Sequence, residues 1–230
     1  MKHEVVHAPA FSALRLSFDA GESVVAQPGA MQAMTTGFDM TVRAGAQMGG
    51  KRGVMASARS LMGGESLFAV TYTAKREAQE LLLAPEEMGE IRALEIGSEH
   101  RLTLARGSFL ACETSVSFGL TNVGLRGLMA ARGLFFLQTA GSGRLFLSSF
   151  GGVLERELGQ DERFVIDNRN LVAFSSQMRF EPVVLSGSLR DSLLSGEGFV
   201  VRFTGPGTVL HQTRARPSLG LFRGLLQTVF

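Results

Sequence analysis

The sequence predicts an all-β protein, and three observations lead to that fold class. Glycine occurs 28 times among 230 residues, whereas proline occurs only six times. Apolar runs are short, and apolar residues alternate with polar ones, as they do from Leu14 to Phe18. Alternation with a period of two, punctuated by glycine, is typical of strands and turns. Blocks of sequence also recur in the same order, which predicts a structural repeat.

One repeat relates two segments that lie 62 residues apart, residues 89–118 and residues 151–180. The two segments align without a gap, and their apolar positions also match. Identical residues coincide at six positions: Gly89 with Gly151, Glu95 with Glu157, Gly97 with Gly159, Arg101 with Arg163, Ala111 with Ala173 and Phe118 with Phe180.

A second block recurs three times, at Leu61–Phe68, Leu128–Phe135 and Leu193–Val200. A Thr-Ala or Thr-Gly pair follows each copy, and an apolar segment follows each pair. The pairs are Thr73-Ala74, Thr139-Ala140 and Thr204-Gly205, and the apolar segments are Leu81–Leu83, Leu145–Leu147 and Val209–Leu210. Two strands joined by such a turn are typical of a β-hairpin, so we expect the same hairpin in each copy.

These blocks divide residues 1–214, a single all-β domain, into three repeats at about residues 10–84, 85–148 and 149–212. A basic segment rich in Gly and Met forms an insertion at residues 35–60. A repeat of this size holds only part of a core and buries the rest against its siblings. We therefore expect small β-sandwich units in a pseudo-threefold arrangement. Unpaired outer strands would associate between chains, which predicts a homo-oligomer, a trimer or a larger ring.

The number of cysteines and the length of the apolar runs indicate in which cellular compartment the protein is expected. The single cysteine, Cys112, excludes a disulfide within the chain and leaves a cysteine-based zinc site short of ligands. The residue aligned with Cys112 in the other segment is Phe174, so we expect Cys112 to be a small buried hydrophobic residue and not a nucleophile. No apolar run approaches the ~20 residues of a membrane span. These features predict a cytoplasmic, bacterial protein.

Two segments resemble catalytic or phosphate-binding motifs. Residues His3–His7 match H-E-x-x-H, but zinc binding needs a helix, and Val5-Val6 followed by Pro9 favours a strand. Gly45–Arg52 approaches a P-loop, but Arg52 stands where a magnesium-binding Ser or Thr belongs. No Ser/His/Asp grouping is evident. We expect no catalytic site, no cofactor, no metal and no enzymatic activity.

Charged residues suggest two kinds of polar contact. Two stretches are basic and free of acids, from Met40 to Gly64 and from Gly198 to Phe230, although the net charge is only +2. A basic face of this kind binds anions, and a solvated surface is the alternative. The candidate anion-binding residues are Arg43, Lys51, Arg52, Arg59, Arg202, Arg214 and Arg216. Glu65, Arg132 and Glu197 occupy matched positions and would form contacts between repeats or cap turns.

Apolar residues suggest two further contacts. The first repeat is rich in methionine, which adapts to apolar ligands, although ordinary core packing is the favoured explanation. As a helix, the tail would place Leu219, Phe222, Leu226 and Val229 on one face. That face could dock on a sibling subunit, touch a membrane surface or pack on its own core.

Three stretches, residues 21–31, 59–68 and 196–214, resemble the signature of a widespread family without a known activity. It is the altered-inheritance-of-mitochondria, or mitochondrial biogenesis, family, and the resemblance covers about residues 3–214. It implies a fold like that of the trp RNA-binding attenuation protein and assigns no catalytic residues. RNA binding does not follow from the fold. The chain has three lysines, one tyrosine and no tryptophan, which disfavours an RNA-stacking surface without excluding nucleic acid.

The leading hypothesis from the sequence is a non-catalytic scaffold or binding protein that associates with itself. The alternatives are an anion or nucleic-acid binder that uses the arginine-rich loops, and a carrier of an apolar ligand. Phosphate-mediated binding would weaken steeply with salt, which separates the first alternative from the scaffold.

Overall fold

The computed structural model describes residues 1–44, 68–105, 107–120, 137–183 and 200–215. All its elements there are strands, apart from one 3₁₀ turn at Asn168–Asn170, which confirms the all-β prediction. The strands are β1 (Lys2–Val6), β2 (Ala13–Phe18), β3 (Ser23–Ala26), β4 (Met31–Met34), β5 (Phe38–Ala44), β6 (Phe68–Ala74), β7 (Gln79–Leu83), β8 (Ile91–Ile96), β9 (Leu102–Leu104), β10 (Phe109–Glu113), β11 (Val116–Leu120), β12 (Leu137–Gly141), β13 (Gly143–Ser148), β14 (Val153–Leu158), β15 (Arg163–Asp167), β16 (Leu171–Ser175), β17 (Arg179–Val183), β18 (Val200–Thr204) and β19 (Gly207–Gln212).

The strands form four antiparallel sheets, which we number from the N-terminus. Sheet 1 has the order β1-β2-β7-β4, and sheet 2 has the order β5-β6-β3-β10-β13-β8. Sheet 3 has the order β11-β12-β9-β16-β19-β14, and sheet 4 has the order β15-β18-β17. Adding six to every strand number of sheet 2 gives the order of sheet 3.

The four sheets stack in sequence and enclose three apolar cores. Leu16 of sheet 1 packs with Phe146 of sheet 2 in the first core. Leu145 of sheet 2 packs with Val172 of sheet 3 in the second core. The third core lies between sheets 3 and 4 and contains Phe174, Phe203 and Met178, with the partly buried Phe164 and Phe180 packed against it.

The central strands of the two inner sheets are buried on both faces. In β13, Leu145, Phe146 and Leu147 are all at most 1% exposed, although successive side chains of a strand point to opposite faces. The outer sheet 1 instead shows the alternation expected of a sheet with one solvated face. In β2, Leu14, Leu16 and Phe18 are buried while Arg15 is exposed, as the sequence predicts.

The predicted hairpins at the three Thr-Ala or Thr-Gly pairs are wrong. Strands β6 and β7, which flank the first pair, lie in sheets 2 and 1 and do not pair with each other. The chain crosses between layers there, because β6 pairs with β3 and β5 while β7 pairs with β2 and β4. The chain also crosses between sheets after β12, from sheet 3 to sheet 2, and after β18, from sheet 4 to sheet 3. Among the described residues, the consecutive strands that pair with each other are β1 with β2, β5 with β6, β11 with β12 and β17 with β18.

Other predicted segments fall partly within the described ranges. Residues 38–44 of the basic segment 35–60 form β5, and residues 45–60 lie outside the described residues, as does the P-loop-like stretch. The turns at Gly141–Gly143 and Gly205–Gly207 connect strands, as expected. Gly141 and Gly207 adopt left-handed φ values of 82° and 145°, which explains glycine at these crossings.

The third core offers a test of the packing. Phe203 is completely buried, and its ring centroid lies 4.9 Å from that of Phe174. Replacing Phe203 with Ala removes an aromatic ring from a packed core, so we expect the free energy of unfolding to fall by about 3–5 kcal/mol. Leu154→Ala is the matched control, because Leu154 is 48% exposed and the change should cost roughly 0.5 kcal/mol or less. Urea titration measures both, and equal losses would contradict the assigned core.

Candidate interaction site

The pairings β3–β10 and β9–β16 join chain segments that are distant in sequence. In the first, Ala26 faces Ala111 and Val25 faces Cys112. In the second, Leu104 faces Ala173 and Thr103 faces Phe174. Corresponding backbone hydrogen bonds extend each ladder: Gln27 donates to the Leu110 carbonyl at 2.8 Å, and Ala105 donates to the Val172 carbonyl at 2.9 Å. The two junctions therefore have the same geometry, and each fuses two three-stranded groups into one inner sheet.

The segments that lead into β2, β8 and β14 lie against one another beside these junctions. Gly89 and Gly151 form an isolated parallel bridge. The Ser12 amide donates to the Gly89 carbonyl at 3.1 Å, and the Glu90 amide donates to the Gly151 carbonyl at 2.9 Å. The Glu90 carboxylate also accepts a hydrogen bond from the Val153 amide at 2.8 Å. These bonds fix the start of each strand group relative to the next.

Gly89 is required at this contact by close packing. A Cβ atom added to Gly89 would lie 2.0 Å from the Ser149 carbonyl oxygen and 2.7 Å from that of Gly151. Real Cβ atoms do not approach backbone that closely, so neighbouring backbone would have to move. The sequence alignment had matched Gly89 with Gly151, and the structure shows these two glycines in contact.

Among the described residues, the outer strands are β1 and β4 in sheet 1 and β15 and β17 in sheet 4, and β4 and β15 each have one edge without a described partner strand. All four residues of β4 are exposed, including Met31 at 37% and Met34 at 39%. In β15, Val165 is 41% exposed. Edge strands present unpaired backbone N–H and C=O groups that bind another strand readily. These two edges are the candidate interaction site.

The H-E-x-x-H residues lie in and just after a strand, as predicted. His3 is in β1, and His7 follows that strand with a left-handed φ of 56°. The His3 ring packs edge-on against Phe146, and its Nδ1 lies 2.9 Å from Arg144 Nη1. Burial, followed by the charge of Arg144, lowers the pKa of His3, so its neutral form is favoured. Arg144 also binds the Glu95 carboxylate at 2.6 Å, so the cluster anchors β1 to sheet 2.

The described residues contain no group of three His, Cys, Asp or Glu side chains that could hold a metal ion. Cys112 is completely buried, and burial raises the pKa of its thiol to about 12. A thiol in that state is not a nucleophile at neutral pH. Cys112 lies opposite Leu145 of β13, and Phe174 lies opposite Val209 of β19. The two residues therefore hold equivalent positions, in agreement with the sequence alignment.

Two of the seven predicted anion-binding residues have described side chains. Arg202, in β18, lies 3.2 Å from the Glu181 carboxylate of β17, so its charge is paired. Arg214 is exposed after β19. Arg43 lies in β5. The remaining predicted residues lie outside the described ranges: Lys51, Arg52, Arg59 and Arg216 of the anion set, Glu65, Arg132 and Glu197 of the polar set, and Leu219, Phe222, Leu226 and Val229 of the tail.

Sequence reasoning anticipated open outer strands but did not identify them. Met31 and Met34 resemble ordinary strand residues, and nothing local marks Val165 as lacking a neighbour. The gapless alignment of residues 89–118 with 151–180 matches β10 with β16 and does not reach β4, so it gives no signal for the open edge. Along the described ranges, the structure holds no helix of the length and apolarity that a membrane crossing requires.

Comparisons with known proteins find one family model and similar proteins of Streptococcus pyogenes. A family model described as mitochondrial biogenesis AIM24 matches residues 3–214. The chain is similar to an uncharacterized protein of Streptococcus pyogenes serotype M6, with 30% identity over 216 residues, which is 93% of this chain and 86% of the relative. It is also similar to the crystal structure of a Streptococcus pyogenes protein, with a TM-score of 0.75 and 29% identity, covering 100% of this chain and 99% of that one.

The contact at Gly89 gives a second test. Gly89→Ala places a methyl group against the Ser149 and Gly151 carbonyls, so we expect a loss of about 1–3 kcal/mol in the free energy of unfolding. Gly97→Ala is the control, because a Cβ atom there meets nothing within 4 Å. Thermal and urea unfolding measure both variants. A neutral Gly89→Ala would show that the strand groups are not packed at this bridge.

Proposed function

The chain belongs to the mitochondrial biogenesis AIM24 family, and on that premise we propose that it is a non-catalytic scaffold or binding protein that assembles with copies of itself. One observation carries the proposal: sheets 1 and 4 contain the two unmatched halves of an inner sheet. The pairing of those halves would link one chain to the next. The single, deeply buried cysteine fits a reducing, cytoplasmic location.

The proposal includes three structural repeats of six strands each: β2–β7, β8–β13 and β14–β19. Support comes from the pairing order, because β2-β7-β4, β8-β13-β10 and β14-β19-β16 are the same arrangement shifted by six strands each time. A register shift recurs at the same place in all three, between Met31 and Ala33, between Phe109 and Ala111, and between Leu171 and Ala173. Successive repeats placed side by side, like trp RNA-binding attenuation protein subunits, extend this proposal. The sequence-based pseudo-threefold arrangement within one chain would instead pair β4 with β15 of the same chain, which the strand order does not contain.

The two open edges are complementary under this scheme. Strand β4 takes the place of β10 and β16, and β15 takes the place of β3 and β9. Transferring the register of the internal junctions places Ala33 opposite Ile166 and Met34 opposite Val165. We call this pairing of β4 with β15 of another copy the β4–β15 joint.

Exposure supports the same pairing. Cys112 and Phe174, the equivalents of Met34, are at most 1% exposed, whereas Met34 is 39% exposed. Thr103, an equivalent of Val165, is 1% exposed, whereas Val165 is 41% exposed. Both differences arise where a neighbouring strand is missing. Burial of apolar side chains, together with the unpaired backbone groups of two edges, would stabilise the β4–β15 joint.

The joint uses two different edges, so it is heterologous. Each chain has one edge of each kind, and a heterologous contact closes into a ring or continues as a filament. A closed ring removes both edges, which is the outcome expected of a protein that stays in solution. We therefore propose a ring of three or more chains.

Native mass spectrometry of purified protein tests assembly and bound ligands together. We expect a closed oligomer without additional mass. A single chain at every concentration would contradict the scaffold, and a bound adduct would favour the anion-binding or apolar-carrier alternative, according to its identity.

Two single substitutions, one a test and one a control, show whether β15 is the strand that contacts another chain. Val165→Lys would bury an ammonium group opposite Met34, so we expect the oligomer to dissociate into folded single chains. Val42→Lys is the control, since Val42 is a 65% exposed valine on β5, an edge strand outside the proposed contact. Circular dichroism confirms folding of both variants. An oligomer that survives Val165→Lys as well as Val42→Lys would contradict the assigned edge.

A further inference from the structure

Two methionine thioethers lie on the open edge of β4. Met31 is 37% exposed and Met34 is 39% exposed, so both residues are accessible to solutes in the single chain. Their equivalents in β10 and β16 are Phe109 and Cys112, and Leu171 and Phe174. None of those four replacements is a methionine. The strand that the proposed assembly depends on is therefore the one that carries oxidisable thioethers.

We infer that Met31 and Met34 are an oxidation site that controls self-assembly, and this inference rests on the proposed function. The reactant is a peroxide. The methionine sulfur attacks one peroxide oxygen, the O–O bond breaks, a sulfur–oxygen bond forms, and the second oxygen leaves as water with hydrogen peroxide. The sulfur is oxidised by two electrons and the peroxide is reduced by two. A methionine sulfoxide reductase reverses the change.

Oxidation acts on assembly through the cost of burying a polar group. The β4–β15 joint places Met34 opposite Val165 and covers it as Cys112 and Phe174 are covered in the internal junctions. A sulfoxide oxygen is a strong hydrogen-bond acceptor, and an apolar joint offers its side chain no donor. The oxidised chain keeps its fold, because Met31 and Met34 are exposed and belong to none of the three cores.

The chain contains its own controls. Met40 is 49% exposed and Met88 is 62% exposed, and neither lies in β4 or β15. Met178 is 5% exposed in the third core. Peroxide should therefore oxidise Met40 and Met88 without affecting the joint, and should leave Met178 intact while the chain is folded.

The experiment starts from dilute single chains treated with hydrogen peroxide, quenched, and then concentrated for native mass spectrometry. We expect oxidation to raise the concentration at which half of the chains assemble by roughly tenfold or more. A double variant, Met31→Leu with Met34→Leu, should assemble normally after the same treatment. A second double variant, Met40→Leu with Met88→Leu, should respond to peroxide as the unmodified sequence does.

Peptide mapping supplies the second readout. Met31 and Met34 should oxidise at rates close to those of Met40 and Met88 in dilute single chains, and much more slowly in the oligomer. Equal assembly of oxidised and untreated chains, with both β4 methionines converted to sulfoxide, would overturn the inference. That result leaves the scaffold proposal standing, whereas an untreated protein that never assembles overturns the scaffold proposal first.

Discussion

The rest of the structure depends on strand pairing between segments far apart in the chain, β3 with β10 and β9 with β16. Each pairing completes an inner sheet from two three-stranded groups. Because an inner sheet is shared, it has a core on each face, and its central strand β13 is apolar and buried over Leu145–Leu147. The stacking order of the four sheets and the three cores follows from these two junctions.

The same constraint explains why the ends of the stack differ from its middle. In the proposed three-repeat scheme, a junction takes one edge of the β3 kind and one of the β10 kind, and each chain keeps one of each, on β15 and β4. Two such edges would form the same junction between copies. This is the physical basis of the proposed assembly role, and it places the methionines of β4 in the proposed joint.

Local patterns predicted the strands well and their partners poorly. Alternation identified Leu14, Leu16 and Phe18 as one buried face, and the alignment placed Cys112 and Phe174 at equivalent positions. The turn after Thr73-Ala74 was recognised, but a turn signal does not say whether the next strand pairs back or crosses to another layer. Thr103 is a polar residue between Leu102 and Leu104 and is nevertheless 1% exposed, because burial of both faces comes from distant parts of the chain. The open edges could not be located for the same reason, since an edge is defined by a missing long-range partner.

Native-state hydrogen exchange at the internal junctions tests the central claim most directly. The Gln27 and Ala105 amides donate across the two junctions. If the junctions hold the four sheets together, these amides exchange only through global unfolding, with the same opening free energy as amides in the middle of β10 and β13. Exchange of Gln27 and Ala105 at a clearly lower opening free energy, while β10 and β13 stay protected, would show that the strand groups separate independently and would contradict the account.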